Sequence, residues 1–378
     1  MNLISSDTEE TLRLVAQAVE DVARPDFHRV QQVRDTANGF DPATWATFAE
    51  QGWLASLLPE EQGGTGLGIG AAAIISERLG YACYTEPFVA IAVAAMQCLM
   101  ACSPGDMRNR LLDDLSNGFK LVTLAWQPPR SGFTFGMSSL LAELEEGTIS
   151  LHGELRFVIA PQSECFLIVS NVHGVPTLIA IPATSNGLSI KQEKTSDGCS
   201  IGWLVLDGVR VPPNATIANG AVAELALSAA IDAGALCTAA ELLGLIDRSL
   251  EITLDYLRMR KQFGKFIGSF QVLQHRAVDM WIQKSLARAA IRSALAVFED
   301  SSRTLQERSA AASSAKARAS QAAIYVAGQA IQLHGAIGTT DEYELGVYVN
   351  RSMTLAAQYG NAATHRNRYG KLVSVQER

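Results

Sequence analysis

Apolar residues recur three or four positions apart through the first 118 residues of the chain, which is the spacing of an amphipathic helix. This pattern predicts helices over residues 8–23, 41–51, 69–79 and 89–101. The dipeptide Asp41-Pro42 supports the second helix, because aspartate is a favoured N-cap and proline a favoured first helical residue. We therefore predict an N-terminal helical domain over residues 1–118.

Short apolar runs replace the helical spacing near residue 121. Seven such runs, rich in Val, Ile, Leu and Thr, follow one another as far as residue 211. Turn signals, each a glycine after Glu, Asn or Asp, lie at 146–147, 186–187, 197–198 and 207–208. Short strands joined by such turns are typical of an antiparallel sandwich or barrel. We predict a middle β domain over residues 119–218.

Helical spacing returns after Pro212 and Pro213. Leucine and isoleucine recur on one face over residues 243–257, and the pattern continues over 271–299 and 305–333. The last segment is rich in Ala and Ser, so its axis can approach neighbouring helices closely. We predict a C-terminal bundle of long helices over residues 219–378, and an α+β multidomain fold for the whole chain.

Composition places the chain among globular proteins. Of its 378 residues 48% are hydrophobic and 18% charged, and the net charge of −7 supplies no electrostatic footprint for nucleic acid or anionic lipid. The longest apolar stretch, residues 89–102, is shorter than the ~20 residues that a membrane-spanning helix needs. The first residues lack the basic and apolar regions of a secretory signal. We expect a cytoplasmic protein that binds neither nucleic acid nor membrane.

Two segments of the C-terminal region carry residues suited to chemistry. The first, RKQFGKFIGSFQ at 260–271, is a glycine-containing turn between helices, where Arg260 could hold a phosphate and Phe263 could cover a planar ring. The second, QLHGAIGTT at 332–340, is a loop whose backbone N–H groups could approach an anion. The alternatives are an ordinary turn and a glycine helix C-cap. His275 and His334 lack metal-ligand spacing, so we expect no metal site.

These segments and the domain order resemble the acyl-CoA dehydrogenase family over essentially the whole chain. The resemblance is carried by LPEEQGGTG at 58–66, YLRMRKQFG at 256–264 and QLHGAIGT at 332–339. The resemblance implies a helical N-terminal domain, a β domain and a C-terminal four-helix bundle, assembled as a dimer or a dimer of dimers. It also implies α,β-dehydrogenation of an acyl-CoA thioester, with FAD as cofactor and an electron-transfer flavoprotein as electron acceptor.

The same resemblance implies roles for individual residues. Arg260 would meet the FAD pyrophosphate from across a subunit contact, and the side chains beside the cofactor would be Phe263, Ile267 and Phe270. The other end of FAD would contact Gln332, Gly335 and Ala336.

The chain departs from the family pattern at the catalytic base. The family uses a glutamate at one of two positions, and the matching residues here are Tyr359 and Gly234. Tyrosine has an ordinary pKa near 10 and is a poor base at neutral pH. The β domain also departs: residues 125–132 replace a Thr-Glu-Pro turn, and Phe157 begins the Phe-Val-Ile that replaces the Trp-x-Thr against the flavin ring.

Three hypotheses follow from these departures. In the first, the chain resembles the base-lacking subunit of α2β2 acyl-CoA dehydrogenases that act on steroid side chains and other bulky acids, and a homologous partner supplies the glutamate. In the second, the chain is self-sufficient and uses a displaced carboxylate, Glu241 or Asp232. The alternative for Glu241 is a structural ion pair inside the bundle. In the third, the chain is a flavin-free scaffolding subunit.

Overall fold

A computed structural model describes residues 6–129, 132–138, 140–145 and 147–374. The helices are α1 Ser6–Val22, α2 Phe27–Arg34, α3 Pro42–Glu50, α4 Gly68–Tyr81, α5 Met96–Met100, α6 Asp106–Ser116, α7 Ala221–Met259, α8 Gln271–Glu299, α9 Leu305–His334, α10 Leu345–Ala357 and α11 Ala362–Ser374. The strands are β1 Val122–Ala125, β2 Leu141–Glu145, β3 Thr148–Ile159, β4 Cys165–Val172, β5 Val175–Pro182, β6 Leu188–Lys194, β7 Ser200–Val211, β8 Thr216–Asn219, β9 Lys261–Gln262 and β10 Lys265–Phe266. The predicted fold class is confirmed, with N-terminal helices, a middle sheet and a C-terminal helical bundle.

Local signals account for several helix boundaries. Asp41 caps α3 as predicted, because its carboxylate accepts a hydrogen bond from the Ala43 backbone N–H at 3.0 Å. Thr304 begins α9 through a capping box with Glu307, in which each side chain bonds the other residue's backbone N–H. The helix predicted over 89–101 opens as a π-helical segment, Val89–Ala95, which runs directly into α5.

The middle sheet has the strand order β6-β7-β3-β2-β4-β5-β8, with β1 also paired to β4. Most of its pairings are antiparallel, as the turn signals predict, but β1 and β2 each run parallel to β4. Its core is formed by side chains that are fully buried on β3, β4, β5 and β7, among them Leu151, Phe166, Ile179 and Leu204. The sheet is therefore mixed rather than purely antiparallel.

The glycine signal at 207–208 does not mark a turn between strands. Residues 207 and 208 lie inside β7, where the pairing with β3 shifts by one position between Leu151 and His152. Gly208 has φ +65°, a left-handed conformation that glycine adopts without strain. The extra residue is absorbed as a β-bulge, and β7 continues beyond it.

The contacts divide the chain into two compact units, each assembled from separate segments. The bundle unit comprises residues 1–34, 73–85 and 235–378, and the sheet unit comprises 35–72 and 86–234. Each unit contains residues from more than one of the predicted domains. The two units therefore do not correspond to these domains, and the predicted domain boundaries at residues 118 and 218 stay predictions.

Two glycines bring α4 and α7 into backbone contact inside the bundle unit. A Cβ on Gly80 would lie 2.1 Å from the carbonyl oxygen of Glu241, and a Cβ on Gly244 would lie 1.9 Å from that of Glu77. No side chain fits at either position, because nonbonded heavy atoms do not approach so closely. The crossing places Glu241 deep in the unit, at 5% exposure.

Among the described residues one helix, α7, is long and apolar enough to cross a bilayer by length and composition alone. However, 94% of its most apolar window is buried inside the protein. Such burial is what the core helix of a folded domain shows, so this single helix is weak support for a membrane span.

A buried lysine joins α9 to the end of α10 in the bundle unit. Lys316 is fully buried, and its ammonium group donates to the Ser320 hydroxyl at 2.9 Å. Its other two N–H groups are shared among the carbonyl oxygens of Leu355 at 3.0 Å, Ala356 at 3.2 Å and Gly360 at 3.1 Å. These bonds satisfy carbonyl groups at a helix C-terminus that lack intrahelical donors. Burial lowers the pKa of Lys316 from 10.5 to about 7.

We expect the free energy of unfolding to rise with pH relative to a Lys316→Met variant. Between pH 7 and 10.5 the unfolded chain binds a proton at Lys316 that the folded chain does not. The burial penalty is therefore complete below pH 7 and disappears as pH approaches 10.5. The free energy of unfolding of wild type minus that of the variant should increase by about 1 kcal/mol per pH unit from pH 7.5 to 9.5. Urea titrations across this range measure it, with the exposed Lys371→Met as control. Parallel stability curves would contradict the prediction.

Candidate functional site

A cavity of about 680 Å³ lies within the bundle unit, where the end of α7 meets the end of α9. It brings together the seven residues that the sequence assigns to the two C-terminal segments: Arg260, Phe263, Ile267, Phe270, Gln332, Gly335 and Ala336. Most of the wall is apolar or aromatic, with Arg260, Gln262 and Gln332 as polar groups. A largely apolar pocket with a few convergent polar groups is the usual form of a cofactor site.

The first segment folds as a small hairpin rather than an irregular turn. Strands β9 and β10 pair antiparallel, and the two-residue loop Phe263-Gly264 has φ +52° and +77°. Positive φ at both loop residues is the mark of a type I′ hairpin turn. The backbone N–H of Ile267 donates to the Arg260 carbonyl at 2.9 Å and closes the base of the hairpin. Phe263 at the tip is 89% exposed, so the hairpin presents an aromatic ring to solvent.

The hairpin is strongly cationic. Arg260, Lys261 and Lys265 all lie on it, and residues 260–270 contain no acidic side chain. Lys261 and Lys265 stack over Phe266 and Phe270, with the ammonium 4.6 and 4.3 Å from the ring centroids. The cavity therefore opens beside a cluster of positive charge, which favours an anionic ligand.

At Gly335 the second segment forms the glycine C-cap that was one of its two sequence interpretations. Gly335 ends α9 with φ +70°, and its N–H donates to the Ile331 carbonyl as a C-cap. Because the Gly335 N–H already donates this hydrogen bond, it is not a free donor for an anion. No atom lies within 4 Å of where a Gly335 Cβ would be. The side chain of Gln332 is exposed on the cavity side, where it can contact a ligand directly.

No sequence pattern predicted the aromatic cluster that lies beside the two segments. Tyr256 and His334 stack with ring centroids 4.4 Å apart and an interplanar angle of 30°. Tyr343 closes the cluster at 5.1 Å from His334 and 6.3 Å from Tyr256. Burial lowers the pKa of His334, and its Nδ1 lies 2.8 Å from the Ala330 carbonyl oxygen. Tyr256 falls within the YLRMRKQFG motif, but nothing in its local pattern indicates the stacking partner.

A buried ion pair engages Glu241, one of the two carboxylates considered as a base. The Arg351 guanidinium donates to the Glu241 Oε1 through Nη2 at 2.6 Å and through Nε at 3.1 Å. The two side chains are 7% and 6% exposed, so both charges are removed from water together. This geometry supports the structural alternative for Glu241, because removing either partner of a buried ion pair leaves the other charge uncompensated.

Comparison with known proteins identifies the family to which these features belong. The N-terminal domain model of the acyl-CoA dehydrogenases matches residues 7–118, and their C-terminal domain model matches residues 224–373. The chain belongs to the acyl-CoA dehydrogenase family. The C-terminal match includes both segments that line the cavity, so the recognised motifs and the observed pocket coincide.

Relatives and solved structures agree with this assignment. The acyl-CoA dehydrogenase IpdE2 of Mycolicibacterium smegmatis is 29% identical over 349 residues, which cover 92% of this chain and 93% of that protein. A variant of the Tcur3481-Tcur3483 steroid ACAD is 26% identical, covers 98% of each chain and superposes with a TM-score of 0.86. The ChsE4-ChsE5 complex from Mycobacterium tuberculosis covers 99% of each chain with a TM-score of 0.87; at 22% identity it shows the fold alone.

The sequence resemblance matches Tyr359 to the commoner base position of the acyl-CoA dehydrogenase family. It is 4% exposed, with φ +52°, and the His365 Nε2 lies 2.7 Å from its carbonyl oxygen. Burial raises the pKa of the Tyr359 hydroxyl above its usual 10, and the nearby Cys237 and Glu241 raise it further. The tyrosinate form is therefore disfavoured, and this residue has no means of accepting a substrate proton at neutral pH.

The remaining residues singled out from the sequence belong to the sheet unit. Gly234 and Asp232 both lie on α7, and Asp232 is 4% exposed. Phe157 sits at a second pairing shift of β3, with φ +57° and about half of its surface exposed. An aromatic residue in a left-handed conformation is strained, which marks this bulge as a functional candidate.

In the segment 125–132, which the resemblance matches to the family's Thr-Glu-Pro turn, Trp126 and Gln127 both bond to Thr134. The Gln127 amide donates to the Thr134 carbonyl at 2.7 Å, and its oxygen accepts from the Thr134 N–H at 3.0 Å. The Trp126 indole donates to the same carbonyl at 3.1 Å. Residues 130 and 131 lie outside the described residues. Both polar groups of the Gln127 side chain are thus engaged by Thr134.

Proposed function

We propose that the chain is one subunit of a heteromeric, FAD-associated acyl-CoA dehydrogenase whose partner subunit supplies the catalytic glutamate. Membership of the family makes the chain an oxidoreductase of the acyl-CoA dehydrogenase type. One combination of features carries the proposal: the cavity retains both motif segments, while Tyr359 and Gly234 stand at the two base positions.

The residues around the cavity fit the dinucleotide part of FAD. Arg260 can form charge-assisted hydrogen bonds with a pyrophosphate, and Lys261 and Lys265 add positive charge beside it. Gln332 offers an amide to the adenosine end, and the exposed ring of Phe263 suits contact with a planar ring. When bound, FAD accepts the hydride from the substrate's Cβ.

Exposed apolar surface supports a site shared with a second chain. Phe263 projects from the hairpin, and one face of α8 exposes Val278, Trp281, Ile282 and Leu286, each by 40% or more. An apolar face of this kind on a folded unit indicates a protein interface. The hairpin and the face of α8 are continuous in sequence, so a partner covering α8 would also approach the cavity.

The names of the similar proteins support a two-component enzyme for bulky substrates. Tcur3481-Tcur3483 is a steroid ACAD, and ChsE4-ChsE5 is a complex of two named components. We propose that this chain likewise pairs with a homologous subunit and acts in the breakdown of a steroid-derived or similarly bulky acyl-CoA. Electron transfer to an electron-transfer flavoprotein and a cytoplasmic location stay predictions from the sequence.

In this proposal the chain's own residues bind and orient rather than remove a proton. Arg260 holds the pyrophosphate, and the apolar wall excludes water from the cofactor. The carboxylate of Glu241 is committed to Arg351, which disfavours the self-sufficient alternative in which Glu241 is the base. Asp232 remains open as a second displaced base, and a flavin-free scaffold is the third possibility.

Co-expression with a homologous subunit separates these hypotheses. The chain should be inactive in an acyl-CoA-dependent dye reduction assay when purified alone, and active, with visible flavin absorbance, when purified with its partner. Replacing the partner's glutamate should abolish the activity of the complex. Full activity of this chain alone with stoichiometric FAD would contradict the partner hypothesis, and a colourless, inactive complex would favour the scaffold.

A further inference from the structure

The hairpin at 260–270 and the loop at 332–340 lie far apart in sequence, yet a ligand that spans the cavity must contact both. Arg260 follows α7, while Gln332 belongs to the last turn of α9. We call a ligand two-ended if it contacts Arg260 and Gln332 at the same time. Such a ligand binds well only if these two side chains are held at a fixed separation, because otherwise part of the binding free energy is spent on ordering the protein. Tight binding of a two-ended ligand therefore requires contacts that fix the end of α7 relative to the end of α9.

Tyr256 and His334 form such contacts. Tyr256 lies one turn before the hairpin, and its carbonyl accepts the Arg260 backbone N–H at 2.9 Å. Its hydroxyl donates to the His334 carbonyl at 3.3 Å, and the two rings stack. His334 directly precedes the Gly335 cap, and its Nδ1 is 2.8 Å from the Ala330 carbonyl oxygen. Tyr256 is thus bonded to the first residue of the hairpin segment and to His334, which belongs to the second segment.

The cluster extends to a third element. Tyr343 packs against both rings. Its neighbour Glu344 forms a salt bridge with Arg248 of α7, with 3.1 Å between Oε2 and Nη2. The His334 side chain is buried, and burial lowers its pKa, so the imidazole is neutral and stacks without a desolvated charge. The end of α7, the end of α9 and the start of α10 therefore share one packed aromatic centre.

We propose that Tyr256 and His334 are positioning residues that hold the Arg260 hairpin and the Gln332–Ala336 loop at the separation a dinucleotide requires. The proposal rests on the proposed FAD function of the cavity, and it assigns these residues no direct contact with the reacting atoms. If the proposal is right, disrupting the Tyr256–His334 stack increases the mobility of both segments. It also weakens the binding of two-ended ligands more than that of smaller ones.

The test compares His334→Leu, which removes the stacking ring, with His334→Phe, which retains it. Tyr256→Phe removes only the hydroxyl bond, and Tyr81→Phe, which loses a hydroxyl bond to Glu251 elsewhere in the bundle unit, is the matched control. Amide hydrogen exchange, measured without ligand, should accelerate in both segments in His334→Leu. Exchange should return toward wild type in His334→Phe and stay unchanged in Tyr81→Phe.

Ligand binding gives the second readout, using FAD, ADP, AMP and inorganic pyrophosphate as probes on the protein in the assembly in which it purifies. His334→Leu should weaken FAD and ADP about 10-fold or more while changing AMP and pyrophosphate about 2-fold or less, because only the two-ended ligands need both segments in register. Equal losses for all four probes, or unchanged exchange in either segment, would overturn the positioning role. Wild-type protein that binds neither FAD nor ADP would instead overturn the proposed function, and the inference with it.

Discussion

Replacement of Arg260 by glutamine should weaken FAD binding by about 10- to 100-fold, the effect of losing a charge-assisted hydrogen bond worth ~1.5–3 kcal/mol. The side chain is exposed at the cavity, and no carboxylate among the described residues forms a salt bridge with it. Its charge is therefore available to a ligand. Titration of the purified protein with FAD, followed by flavin fluorescence, measures the loss.

Arg258→Gln is the matched control for this prediction. Arg258 lies on the last turn of α7, two residues before Arg260, and pairs with Asp255 at 3.0 Å instead of lining the cavity. Both variants remove one positive charge from the same helix end, so they change the general electrostatic attraction alike. An equal loss of FAD affinity in the two variants would show that Arg260 contributes long-range charge alone and makes no specific contact.

Arg351→Met should lower the free energy of unfolding by about 3–5 kcal/mol, because it leaves the Glu241 carboxylate buried without its partner. Replacing both residues by apolar side chains, as in Glu241→Leu with Arg351→Met, should cost less than Arg351→Met alone, since no uncompensated charge remains. Chemical denaturation of the three proteins measures the difference. A double variant less stable than Arg351→Met would contradict this account of the pair.

The same pair decides between the structural and catalytic interpretations of Glu241. If the ion pair is structural, Glu241→Gln should reduce stability and leave the turnover of the assembled enzyme within a few-fold of wild type. If Glu241 is the base, turnover should fall about 100-fold or more with stability largely intact. Asp232→Asn tests the other candidate base in the same assay, because Asp232 is also a buried carboxylate on α7.

Much of the candidate cofactor site was predictable from sequence because its residues lie in two short motifs. Arg260, Phe263 and Gln332 were identified from those motifs, and the structure brings them to one cavity. The motifs did not indicate how the site is held. The contact between Tyr256 and His334 joins residues 78 positions apart, and the Glu241–Arg351 pair joins residues 110 apart. Neither contact follows from periodicity or from a local turn signal.

The sequence alone determined the elements, because helices and turns depend on interactions between near neighbours. Helix α8 begins and ends at the predicted residues 271 and 299, and α9 begins at the predicted residue 305, where a capping box supplies a local start signal. Tertiary structure decided the rest: the parallel pairing of β1 and β2 with β4, the bulge at Gly208, and the depth at which Lys316, Glu241 and Tyr359 are buried. These features depend on which distant segments meet, and a charge or a glycine acquires its role from the groups that surround it after folding.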